Sequence, residues 1–142
     1  MIRLYRVCLL TAVTLAILSV TSHVYADEEA DLLAAVKSYF RAEVADNPRQ
    51  VWEMIAPSSV FKKRFTYAMY LEMVKDNPLT VKRYSVQKVV KIIEGPDKDT
   101  MPRVEKLGLV KVRVTLTDAG GKETEHTNVL TFLKEGGRWY KG

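Results

Sequence analysis

Residues 110–117 read VKVRVTLT, with Val110, Val112, Val114 and Leu116 apolar and Lys111, Arg113, Thr115 and Thr117 polar between them. A period of two puts the two sets on opposite faces of an extended chain, so the stretch predicts a half-buried antiparallel strand. Asp118-Ala119-Gly120-Gly121 supplies a turn after it. Glu123 to Leu133 then predicts a partner strand with Leu130 and Phe132 inward. Glu135-Gly136-Gly137 is a second turn, and Arg138-Trp139-Tyr140 a short closing strand. Upstream, Tyr84, Val86, Val90 and Ile92 alternate with Arg83, Ser85 and Lys91, which predicts a long strand from Thr80 followed by a polar loop over 95–106.

Before Thr80 the period is helical. Leu32, Val36, Tyr39 and Phe40 are spaced for one face of a helix over 29–46. Asn47-Pro48 suits the cap and first position of a short second helix through Val51, Trp52 and Ile55, which Pro57 ends. Ser58 and Ser59 predict the start of a third helix from Val60 to about Lys75, stopped at Asn77-Pro78. Helices followed by an antiparallel meander define an α+β domain, with the N-terminal helices on the concave face of a curved sheet.

The first 26 residues read as an address. Arg3 and Arg6 precede a mostly apolar run from Val7 to Val20, the segment holds no acid, and Val24 and Ala26 fit a cleavage site before Asp27. This pattern predicts a secretory signal peptide over 1–26, a single domain over 27–142, and an exported protein, periplasmic or secreted. The apolar run is short for a membrane span, so no stable span is expected after cleavage.

Cleavage changes the chemistry available. The 142-residue chain carries a net charge of +5, and removing Arg3 and Arg6 leaves 20 basic against 17 acidic residues. That weak balance, with no base-stacking aromatics beside Lys111 and Arg113, argues against nucleic acid. Cys8 and His23 go with the leader, so no disulfide, thiol nucleophile or multi-histidine metal site is expected in the mature chain, and no metal or other cofactor. Gly-rich phosphate loops, the HExxH motif and the GxSxG elbow are all missing from the sequence.

The stretch AVKSYFRAEVADNPRQVWEMI, residues 35–55, resembles the opening of small NTF2-like (cystatin-like) domains, in which an amphipathic helix ends near a loop aspartate, here Asp46. The ending TFLKEGGRWYKG is similar to the final hairpin of that superfamily. The resemblance covers most of residues 30–142. It implies a cone-shaped cavity between helices and sheet, and dimerisation through the outer sheet face. In isomerase-type members a first-helix tyrosine donates to a developing oxyanion, a position that Tyr39 matches. Those enzymes also need an aspartate base and a second acid in the sheet, whereas Asp97, Asp99 and Asp118 all fall in predicted loops or turns.

Six residues are candidates for the site. His126 and Asn128 share a strand face with Leu130, and a histidine there suits proton transfer near neutral pH. Glu43 and Glu72 fall on the apolar stripes of their helices, where a carboxylate is costly unless partnered. Tyr39 and Trp52 would line the cavity, although Trp52, Phe61, Phe132 and the other aromatics would equally fill it. For each, a packing or solvated surface role competes with a functional one. The reading favoured is a non-catalytic binding or interaction module for a small apolar ligand or a protein partner, as a homodimer. The alternative is a small cofactor-free enzyme moving a proton on an apolar ligand.

Overall fold

The computed structural model describes residues 27–142; the predicted signal peptide lies outside the described residues. Helix α1 spans residues 27–44. From Leu32 onward the chain forms one compact unit. Leu32, Val36 and Phe40 recur every four residues and are buried together with Val110, Val112, Val114, Phe132 and Trp139. Helix α1 closes at Asp46, whose φ of 49° turns the chain left-handed. The Asn47 N–H meanwhile donates to the Ala42 carbonyl at 3.0 Å.

Three short helices follow, each opened by a side-chain cap. Asn47 accepts from the Gln50 N–H ahead of α2, Pro48–Met54. Ser59 accepts from the Lys62 N–H ahead of α3, Val60–Arg64. Thr66 accepts from the Met69 N–H ahead of α4, Tyr67–Asp76. The single helix expected over 60–75 is therefore two. Phe65 is extended, at φ −119° and ψ 140°. The Thr66 hydroxyl gives the next turn its own cap, so the backbone gains a partner by breaking and restarting.

Four strands make one antiparallel sheet in the order β1-β2-β3-β4, namely Thr80–Glu94, Lys106–Thr117, Glu123–Glu135 and Arg138–Lys141. The α+β class and the meander are as the sequence predicts. Strand β2 alternates as expected, with Val110, Val112 and Val114 buried against α1. Strand β1 departs from simple alternation. Register shifts at Val81/Arg83, Val86/Lys88 and Val89/Lys91 carry Val81, Tyr84, Val86, Val89 and Ile92 to the core side. Val90, expected inward, is 46% exposed because it is the extra, unpaired residue of the last shift, between the pairs Val89↔Val110 and Lys91↔Leu109.

Gly108 sits where β2 passes beneath α1. A Cβ there would lie 2.6 Å from Leu32 Cδ2 and 3.2 Å from Trp139 Cζ3, so the closeness of helix and sheet depends on this glycine. On the opposite face the apolar cluster lies at one end, where Ala56, Val104 and Leu133 are buried with Leu107 and Tyr140 against them. Val104 is 1% exposed. It belongs to the loop expected to be polar.

Candidate ligand groove on the inner sheet face

Beyond the last core turn of α1, the inner face of the sheet stays open. Register places His126 opposite Val114 and Asn128 opposite Val112. Both point to the same side as the core, yet both are exposed, because α1 covers the sheet only as far as Phe40. One turn further along α1, Glu43 stands above this uncovered strip. Tyr39, Glu43, Leu116, His126, Asn128 and Lys141 line a groove of about 520 Å³ there, with Leu79 at its edge.

Tyr39 and Glu43 are four residues apart and meet on one face of α1. The Tyr39 hydroxyl donates to Glu43 Oε1 at 2.5 Å. Burial is the main cause that pushes the Tyr39 phenol above its ordinary range, and the Glu43 charge beside it acts the same way. The phenol is thus held in its protonated, donating form. Its ring lies edge-on to Phe132 at 6.3 Å, which ties the polar pair to the core.

Lys141 joins the groove from the last strand. Its position is set by backbone links: the Ala56 N–H donates to the Lys141 carbonyl at 2.8 Å, and Phe132 pairs with it across the sheet. Burial pulls the Lys141 ammonium below its usual range, while the Glu43 charge works against that shift. Tyr70, on α4, is pushed up to about 12 by burial first and by the Glu43 charge second. Tyr70 lines a neighbouring cavity of about 660 Å³ that shares Glu43, Leu79, Val81 and Leu116 with the first. Glu43 therefore bonds Tyr39 directly, and its charge acts on Lys141 and Tyr70 as well.

Four of the six residues expected at the site, Tyr39, Glu43, His126 and Asn128, line this one groove. Trp52 does not. Its ring packs among Phe61, Tyr67 and Tyr70, with centroids 5.3–6.1 Å apart, and Lys62 Nζ sits 5.4 Å from its ring. Glu72 is exposed and takes the Lys75 ammonium at 2.8 Å. Its predicted place on an apolar stripe was counted from Phe61 and Phe65, and that count fails across the break at Phe65-Thr66. Lys141 and Tyr70 were not among the expected site residues. The signal for Lys141 was present: it lies two residues after Trp139, so an inward Trp139 carries Lys141 inward too.

Among the described residues no three His, Cys, Asp or Glu stand close enough to hold a metal ion. Among them, too, no helix is long and apolar enough to cross a membrane. Comparison with protein-family models, curated proteins and solved structures gave no match.

Proposed function

We propose that this chain is an exported, non-catalytic binding module of NTF2-like (cystatin-like) type, which holds a small, partly apolar ligand in the groove between α1 and the open end of the sheet. The observation that carries this reading is the convergence of Tyr39 and Glu43 from α1, His126 and Asn128 from β3, and Lys141 from β4 around one groove of about 520 Å³. Leu116, Leu130 and Val114 supply apolar wall, and the few polar groups supply orientation, the usual composition of a small-molecule site.

A binding role suits the groove better than proton transfer. The Tyr39 proton is committed to Glu43 at 2.5 Å, and burial opposes its release, so Tyr39 is a poor acid. His126 is exposed rather than enclosed with the carboxylate. The outer sheet face, where Lys111 and Arg113 point away from α1, is the surface on which a second copy would sit.

Native mass spectrometry of the protein purified gently from its own compartment tests the reading. The expected result is a co-purifying small molecule whose occupancy drops at least tenfold in a Glu43→Gln variant. A ligand-free monomer that also fails to gain mass from its cell extract would overturn it. Turnover of a bound ligand, abolished by Glu43→Gln, would move the reading to the enzymatic alternative.

A further inference from the structure

A third cavity, larger than the two described above at about 1040 Å³, lies on the other side of the sheet. Its floor is Leu107, Leu109, Thr131 and Leu133, which pair across β2 and β3 as Leu107↔Leu133 and Leu109↔Thr131. One wall is the chain from Pro57 to the first turn of α3. The other is the loop from Thr100 to Val104. That loop is held in place: Lys98 Nζ donates to the Val104 carbonyl at 2.6 Å, and the Glu105 N–H donates to the Lys134 carbonyl at 2.7 Å.

The polar groups of the walls already have partners. Ser58 Oγ donates to Glu135 Oε1 at 2.5 Å, Ser59 Oγ accepts from the Lys62 N–H at 3.2 Å, and Thr100 Oγ1 donates to Asp97 Oδ2 at 3.1 Å. The Gly142 carbonyl takes the Lys141 ammonium at 2.5 Å. What remains facing the groove is mostly carbon, from Phe61, Met101, Leu109 and Leu133, together with the Thr131 hydroxyl and two cations. Lys63 stands on the α3 wall and Arg103 on the loop wall. Both are exposed, and no ion pair is found for either among the described residues. No Asp or Glu side chain lines the groove.

We propose that this groove binds a free, single-chain anionic amphiphile, a medium- to long-chain carboxylate. Its hydrocarbon tail lies on Leu107, Leu109 and Leu133, and its headgroup is shared by Lys63 and Arg103. The volume is at the upper end of small-molecule sites, as a flexible chain requires. Mostly apolar walls, with the Thr131 hydroxyl as the one side-chain hydroxyl not bonded above, favour an alkyl chain, because a polar ligand would lose most of its water without replacement. Two uncompensated cations at the rim select an anion and repel an amine. The site shares no lining residue with the Tyr39–Glu43 groove, so either can fail alone.

The test is calorimetric titration of the chain, purified as it exists, with octanoate, decanoate, dodecanoate and dodecylamine below their micellar concentrations. Amide NMR shifts map the site. Dodecanoate is expected to bind with shifts at residues 57–63, 100–104 and 107–109, tightening roughly tenfold for each two carbons added. Lys63→Glu with Arg103→Glu, both exposed positions, should weaken dodecanoate at least tenfold and strengthen dodecylamine, while Tyr39→Phe leaves both unchanged. The chain-length series and the shift map need no variant, so they decide the matter even if the double variant folds poorly. Absence of saturable dodecanoate binding overturns the proposal. So do shifts confined to the Tyr39–His126 groove, affinity indifferent to charge reversal, or capture only by vesicles of anionic phospholipid.

Discussion

Phe132 and Leu133 are neighbours in β3 and belong to two different cores. Phe132 points toward α1, is 1% exposed, and packs with Val110, Val112 and Trp139. Leu133 points the other way and is buried only because Val104, Ala56 and Tyr140 fold over one end of that face. The inner face is closed by a regular helix whose apolar stripe matches the strand alternation. The outer face is closed by a loop and a turn, and past them it carries Lys111, Arg113 and Glu125 in water. A sheet face of this kind needs a full cover only where its side chains are apolar. The two grooves follow from this difference. The inner one lies where the helix cover ends, and there polar side chains answer one another. The outer one lies beneath the improvised cover and is nearly all carbon.

The comparison is broken most directly at Phe132. Phe132→Ala is expected to destabilise by about 3–5 kcal/mol in urea unfolding, since the space opens between helix and sheet and cannot collapse. Leu133→Ala, one residue on, should lose about 2–3 kcal/mol, because a loop can settle into the void better than a helix can. Equal losses at the two positions would erase the distinction between the covers. Gly108→Ala sharpens it from the inside. The new methyl would meet buried Leu32 at 2.6 Å, so a loss of about 1–3 kcal/mol is expected. A neutral Gly108→Ala would mean that α1 floats above the sheet more freely than its packing implies.

Next in size is Tyr39→Phe, which takes the hydrogen bond from Glu43 and should destabilise by about 1–2 kcal/mol at neutral pH. Its pH signature is more specific. The folded-state pKa of Tyr39 is raised above the ordinary value of 10.0, so its contribution is whole below about pH 10 and is lost as pH climbs beyond it. Tyr70, raised to about 12, acts in the same direction between the ordinary value of 10.0 and 12. Lys141, with its pKa lowered, acts in the opposite direction: folding becomes easier as pH rises toward the ordinary lysine value. Stability measured from pH 9 to 12 should therefore fall less steeply in Tyr39→Phe than in the parent chain; identical slopes would remove Tyr39 from the buried polar cluster. The smallest effect belongs to the open outer face. Glu125→Gln breaks an exposed 3.5 Å contact with Arg113 and should change stability by less than about 0.5 kcal/mol, a null that a larger loss would contradict.

Much of the fold was legible because local physics decided it. The alternation over 110–117 and the Gly turns at 120–121 and 136–137 appear in the structure where the sequence puts them. So do the Asn47 and Ser59 caps. Two readings failed where two local preferences competed. In residues 60–75 the apolar spacing favoured one helix while the Thr66 hydroxyl favoured a break, and the cap prevailed. In β1 a clean alternation through Val90 competed with three register shifts. A bulge has no composition of its own, so only the pairing reveals it. The site was legible to the same degree: Tyr39, Glu43, His126 and Asn128 could be read from face and spacing, whereas Glu72 was misplaced by the missed helix break.

Local sequence pattern settled the order of helices and strands, the apolar faces of α1 and β2, and that a mostly uncharged core could be built from 27–142 without cysteine. A period of two or of 3.6 is a property of neighbours along the chain, and it names a face without saying what covers it. Long-range packing settled that α1 stops short of His126 and Asn128, that Lys141 lines the same groove as Glu43, and that the loop at Val104 roofs an apolar groove rimmed by Lys63 and Arg103. Those meetings depend on strand register and on where a cover ends. Both are settled by packing among residues far apart in the chain, as Leu32 and Trp139 are.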